Sequence, residues 1–270
     1  MQRRSASARY ATLFRSVSLF CCVAASSSSA YVTASDRLLV ASVGSTRGTY
    51  ARPELLATRP NELWSWDITK LKGPATWTWF YLYVPLDVFS RYVPGWMVAT
   101  AESAALAERL MADSVAKQGI AAGTLAVHAD RGSSMRSTPV ALLLADLGIT
   151  KSHGRPHTSN DNPFSESQFR TLKYRPTFPA RFGSIEDARA LYRRFFTWYN
   201  EEHRHSGIGL MTPAIVRAGR GPEVRAARAI TLAGADAAHP ERFVRRPPTP
   251  PELPTAVWIN KPVDKEVPPQ

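Results

Sequence analysis

Three runs rich in aromatic and β-branched residues follow one another closely: "LWSWDITKL" (63–71), "TWFYLYVPLDVFS" (78–90) and "RYVPGWMVA" (91–99). Side chains of these types pack well on a pleated, buried surface, and the Gly-Pro pair at 73–74 supplies a turn between the first two. The three runs predict an antiparallel meander. Pro85 and Pro94 have no N–H to give a ladder, so they belong at bulges or edges of it.

From residue 102 the period changes. In "ESAALAERLMADSVAKQG" (102–119), Ala105, Leu106, Leu110, Met111 and Val115 recur near helical spacing and Gly119 follows as a stop. "TLAVHAD" (124–130) reads as a strand, "TPVALLLADLG" (138–148) as a helix and "ITKSH" (149–153) as a short strand. "NPFSESQFRTLKYR" (162–175) opens with Asn162 as N-cap and Pro163 at the first helical position. "SIEDARALYRRFFTWYNEEH" (184–203) opens with Ser184 and Asp187, close to a capping box. Its aromatic run, from Leu191 and Tyr192 through Phe195, Phe196, Trp198 and Tyr199, falls on helical spacing and reads as core. The order is β-β-β-α-β-α-β-α-α, which gives an α/β fold: a mixed sheet flanked by helices. Residues 1–54 show no sustained period, 55–220 form the patterned core, and 221–270 read as a proline-rich, extended tail.

The chain of 270 residues, 44% of them hydrophobic, is long enough for one large domain or a domain with appendages. Lys and Arg number 34 against 22 Asp and Glu, a net charge of +12, which suits a polyanionic partner. The strand-rich segment 61–120 is slightly acidic and basic segments flank it, a distribution that fits nucleic acid better than a membrane. The only cysteines, Cys21 and Cys22, are adjacent and make neither a metal spacing nor a disulfide framework. Residues 1–30 have the arginines, short apolar stretch and small residues of a secretory signal. Their apolar core, Leu19–Ala25, is far too short to span a bilayer.

Three acidic residues fall where the pattern turns from core to chemistry. Asp67 sits in mid-strand: Trp64, Trp66 and Ile68 share one face, while Ser65, Asp67 and Thr69 share the other. A half-exposed strand with a polar outer side gives the same alternation. Asp130 ends a core strand just before Arg131 and Gly132, where a turn-initiating Asp is also common. His128, two residues earlier, points the same way and reads as a structural histidine. Glu166 lies in the first turn of a helix, where an acid suits the dipole. If the strand ending at Asp130 lies beside the first, the three carboxylates converge. Two unit charges at 4 Å cost about 4 kcal/mol near a protein surface, a repulsion that a raised pKa or divalent cations relieve. Carboxylates, water and substrate phosphate are the ligands that Mg²⁺ prefers, and two such ions serve in-line phosphoryl transfer.

"PNELWSWDITKL", "HADRGSSM", "GITKSHGRPHTSNDNPFSESQFRTLKYRP" and "FFTWYNEEHRHSGIGLMTP" closely resemble the catalytic core of bacterial insertion-sequence transposases, the group with a retroviral-integrase-like core encoded by the second of two reading frames. The resemblance runs from about Arg52 to Arg220 and more weakly through "PERFVRRPPTPPELPTAVWIN". It implies a ribonuclease-H-like fold and an Asp-Asp-Glu triad at Asp67, Asp130 and Glu166 holding two Mg²⁺ or Mn²⁺ ions. The implied reaction is DNA strand cleavage followed by strand transfer. Arg170 and Lys173, near helical spacing from Glu166, would meet DNA phosphate or form a solvated helix face. His153, His157 and Asn160 would position substrate or loop. The implied partners are element ends and target DNA, further copies of the chain on DNA, and a helix-turn-helix protein from an upstream frame. The implied location is the cytoplasm, with no membrane association. Members of this group carry a helical DNA-binding segment ahead of the first strand. Residues 1–50 lack that pattern, as a misassigned start, a frameshifted stretch or a decayed copy would. A truncated or inactive remnant that only binds DNA, or inhibits a full-length transposase, is the alternative function.

Overall fold

The computed structural model describes residues 53–130, 137–153 and 162–262. The expectations for the N-terminal region, apart from its last two residues, and for His157 and Asn160 lie outside the described residues.

The centre is a five-stranded mixed sheet of β2 (Leu63–Lys72), β3 (Trp79–Asp87), β4 (Met97–Ala99), β5 (Ala126–Ala129) and β6 (Thr150–His153), in the spatial order β4-β3-β2-β5-β6. The β2/β3 and β3/β4 pairs are antiparallel, whereas β2/β5 and β5/β6 are parallel. A meander followed by two crossover strands is the ribonuclease-H-like arrangement. The crossovers are made by α1 (Ala104–Gln118) and α2 (Thr138–Asp146). After β6 come α3 (Pro163–Lys173) and α4 (Ile185–Glu201).

Both faces of the sheet are covered. Trp64 and Trp66 of β2 and Tyr83 of β3 pack against Ala107, Leu110, Met111 and Val115 of α1 and Val140 and Leu144 of α2. On the other face Leu71, Leu82, Val84 and Leu86 meet Phe169 and Leu172 of α3 and Ala188, Tyr192, Phe195, Phe196 and Tyr199 of α4. The strict alternation in β3 thus feeds two cores. The aromatic run of α4 is core as expected, with Leu191 and Trp198 at its margin.

Several local expectations change. The third run forms a strand only at Met97–Ala99, because residues 88–96 are taken up by a turn and loop. The buried carboxylate of Asp87 holds that turn, accepting from the Ser90 N–H and hydroxyl at 2.7 Å each and from the Asn61 N–H. Asn200 of α4 holds the loop, with Oδ1 accepting from the Val93 N–H at 2.9 Å and Nδ2 donating to its carbonyl at 3.1 Å. Pro94 is outside any strand, while β4 pairs only Tyr81–Tyr83, so at Pro85 β3 has β2 alone as neighbour. In α1 Ala107 rather than the exposed Ala105 faces the core. Ser184 does cap α4, accepting from the Asp187 N–H at 3.0 Å.

The core ends with α5 (Pro213–Arg217), and the segment expected to be an extended tail instead begins with α6 (Gly221–Ala238), an 18-residue helix with Pro222 in its first turn. Further on, β7 (Val257–Ile259) pairs antiparallel with β1 (Leu55–Ala57). Ala57, Leu63, Val88, Val257 and Ile259 form a small apolar cluster there. The proline-rich end is therefore stitched back to the start of the core. Among the described residues no helix is long and apolar enough to cross a membrane.

The turn after α4 carries an acid-sensitive point. Burial first, then the neighbouring His203 and Arg91, hold the His205 imidazole down to about 3. An unfolded chain takes up that proton near 6.5, so protonation favours unfolding. The stability His205 supports is complete above pH 6.5 and is lost progressively as pH falls toward 3, on the order of 2 kcal/mol by pH 4. His205→Phe should flatten the acid limb of the thermal-unfolding midpoint against pH. An acid limb identical to that of the wild type would assign the loss to other groups.

Candidate active site

On the α3/α4 side of β2 the odd positions run Leu63, Ser65, Asp67, Thr69, Leu71. A half-exposed strand, the alternative that the alternation left open, would turn this side to solvent. It is covered instead: Ser65 is 0% and Thr69 8% exposed, and Asp67 alone of the three keeps partial access to solvent. Three polar residues on a covered strand face demand partners.

Asp67 receives one locally, as its Oδ1 accepts from the Ile68 N–H at 2.7 Å. Burial pushes its carboxyl up to about 7, and the negative charges of Asp130 and Glu166 push the same way. The Ile68 N–H and the Lys173 ammonium oppose them. The three acids expected to converge therefore share one electrostatic neighbourhood.

Their placement follows from the sheet. The parallel β2/β5 register ends at Trp66↔Ala129, so Asp67 stands one residue further along β2 and Asp130 one residue past the end of β5. Asp130 follows directly after β5 and is half-buried. Glu166, also half-buried, lies in the first turn of α3, where the helix dipole favours a negative charge. Among the described residues no three His, Cys, Asp or Glu side chains are grouped tightly enough to hold a metal ion by themselves.

The other expected site residues divide. Lys173 joins the acids: its ammonium donates to Thr69 Oγ1 at 2.6 Å and acts on Asp67. Arg170 is exposed on α3. His153 ends β6, half-buried. His128 is fully buried with Nδ1 3.2 Å from Ser152 Oγ, as befits a structural histidine. Asn162 does not cap α3 with its side chain. It turns inward, accepting from the Ser65 hydroxyl and donating through Nδ2 to the Trp66 carbonyl at 3.2 Å. Ser65, Ser165 and this role of Asn162 were not singled out from sequence. The available signal was Ser65 on the strand face of Asp67 and Ser165 beside Glu166.

Residues 57–159 match the family described as integrase core domain, and residues 147–213 match a second family of the same description. The chain belongs to the integrase-core family. The matched stretches contain all three acids and their supporting strands and helices. This integrase core is 31% identical over 169 residues to the transposase for insertion sequence element IS904 of Lactococcus lactis, a match covering 60% of this chain and 66% of that protein. It is 30% identical over 161 residues to the transposase InsF for insertion sequence IS3A of Escherichia coli, covering 59% of this chain and 55% of the other. The chain thus spans between about half and two thirds of the length of these relatives. Among solved structures, it is similar to the catalytic core domain of BIV integrase at 22% identity and a TM-score of 0.43, covering 61% of this chain and 99% of that one.

Proposed function

We propose that the chain is the catalytic part of a bacterial insertion-sequence transposase, a DDE-type polynucleotidyl transferase that cuts DNA strands and joins them to new sites. The observation that carries this reading is Asp67, set on a covered face of the central strand with its carboxyl raised by burial and by Asp130 and Glu166. A fold that keeps three mutually repelling acids in one place gains nothing in stability from them. Their use is to meet positive charge.

The donor chemistry fits a hard divalent cation. Mg²⁺ keeps several waters and takes one or two carboxylates plus substrate phosphates, so it does not need three protein ligands already closed around it. Asp67, Asp130 and Glu166 would hold Mg²⁺ or Mn²⁺, two ions in the working complex. When bound, such ions lower the pKa of an attacking water or 3′-hydroxyl and neutralise charge on the leaving oxygen. The chain's own part is to keep Asp67 rigid on β2, bring Asp130 beside it from the end of β5, and direct Glu166 toward both from α3. Lys173 sets a positive charge next to the acids, and with Arg170 it offers contacts to DNA phosphates. His157 and Asn160 are assigned to substrate positioning. Joining element ends to a target calls for at least two copies on DNA, with a helix-turn-helix protein from an upstream frame supplying end recognition, all in the cytoplasm.

A second reading, a remnant that binds DNA without cutting it, is favoured by the loose grouping of the acids. The two separate in one experiment. Supercoiled plasmid incubated with the chain and Mn²⁺ should become nicked, and chelation should stop it. Salt-sensitive binding with no nicking at any Mn²⁺ or Mg²⁺ concentration would establish the remnant.

A further inference from the structure

We propose that Ser65, Asn162 and Ser165 form a buried clamp that ties the start of α3 to β2 and thereby sets Glu166 against Asp67; the inference rests on the function proposed above. All three side chains are interior, at 0%, 0% and 1% exposure. The Ser65 hydroxyl bonds both to Asn162 Oδ1 and to the Ser165 hydroxyl. Asn162 Nδ2 donates to the Trp66 carbonyl at 3.2 Å.

The hydrogens can be placed one by one. The Trp66 carbonyl only accepts, so the Asn162 amide must present Nδ2 to it and Oδ1 to Ser65. Ser65 has one hydroxyl hydrogen, which goes to Oδ1, so Ser165 is the donor in the bond between the two serines. The network admits one arrangement, and a shift of α3 along β2 would break it and strand polar groups in the interior. An apolar contact would hold the helix as firmly but would let it slide. Asn162 also gives up the usual capping bond of its position to take part.

The clamp lies next to the acids in sequence. Ser65 is two residues before Asp67 on the same strand face, Ser165 immediately precedes Glu166, and Asn162 is one helical turn before it. These are positioning residues: they act on the spacing of two acids on different elements and touch no substrate.

The test is the Mn²⁺ concentration that half-saturates the folded full chain, read from the loss of the free ion's paramagnetic resonance signal, with Mn²⁺ alone as the probe. Ser65→Ala should raise that concentration at least about tenfold, the usual effect of removing a group that orients metal ligands. Ser184→Ala, which removes the α4 cap, is the control: it lowers the unfolding temperature and leaves the half-saturating concentration unchanged. If Ser65→Ala does not fold, Ser165→Ala replaces it with the same expected direction. An unchanged half-saturating concentration in a folded clamp variant overturns the clamp while leaving the metal reading intact. No response of the wild-type chain to Mn²⁺ overturns the metal reading, and the clamp's role with it.

Discussion

Asp67→Asn, Asp130→Asn and Glu166→Gln should each reduce metal-dependent DNA cleavage by about 10³-fold or more, a barrier increase of about 4 kcal/mol. Each change keeps the shape of the side chain and removes the charge that a cation would meet. Rate and stability should part company at Asp67. Its folded carboxyl is raised to about 7, chiefly by burial, against an ordinary value near 3.8. The folded state therefore holds a proton that the unfolded state has released. Stability from this group is complete below about pH 4 and is lost as pH rises through 7. At pH 8 without metal, the ionised Asp67 costs on the order of 2 kcal/mol. Asp67→Asn should then unfold several degrees higher than the wild type at pH 8, while cutting no DNA. A variant that loses activity and stability together would point to a structural role, and near-normal cleavage by any of the three would remove that position from the site.

Ending the chain at residue 255 should lower the unfolding temperature by roughly 10–20 °C. The cut removes β7, and with it the fully buried Ile259 and the nearly buried Val257. It exposes Ala57, Leu63 and Val88 and breaks the bond from Asn260 Nδ2 to the Pro53 carbonyl at 2.9 Å. Burying one large aliphatic side chain stabilises by about 1.5–3 kcal/mol, so the loss is on the order of 5 kcal/mol. Leu63 is the first residue of β2, so loosening there reaches the strand that carries Asp67. Ile259→Ala isolates part of the effect at about 3 kcal/mol. An unfolding temperature unchanged by truncation would mean that the β1/β7 pair adds nothing to the core.

What could be read from sequence followed the range of the interactions. The aromatic and β-branched run of β3 announced a strand, and helical spacing announced the aromatic face of α4. The three acids were visible because each interrupts a pattern that burial otherwise dictates. Failures came where the partner is distant in sequence. Ser65 gave no sign that its covering would come from Asn162 and Ser165, about a hundred residues on, so the alternation alone left a half-exposed strand open as an alternative. Asn162 looked like a cap because its local context, Pro163 and a first-turn acid, is that of a cap. The three residues of β7 lie among prolines and owe their strand form to β1, some two hundred residues away. A tertiary pairing of that kind leaves no local pattern. The helix α6 is different: Gly221, Pro222 and Glu223 are an ordinary helix start, and the prolines of 247–254 obscured it.

A chain that transfers a DNA strand through Asp67, Asp130 and Glu166 must join DNA as well as cut it, so the joining step is the one to measure. A labelled duplex with a free 3′-hydroxyl, carrying the sequence of the element's ends, would be incubated with the chain, Mn²⁺ and unlabelled plasmid. Covalent transfer of the label to the plasmid is expected, dependent on Mn²⁺ and absent in the Asp67→Asn, Asp130→Asn and Glu166→Gln variants. Plasmid that is nicked but never labelled would make the chain a hydrolytic nuclease, and label transfer that survives loss of the acids would contradict their assignment.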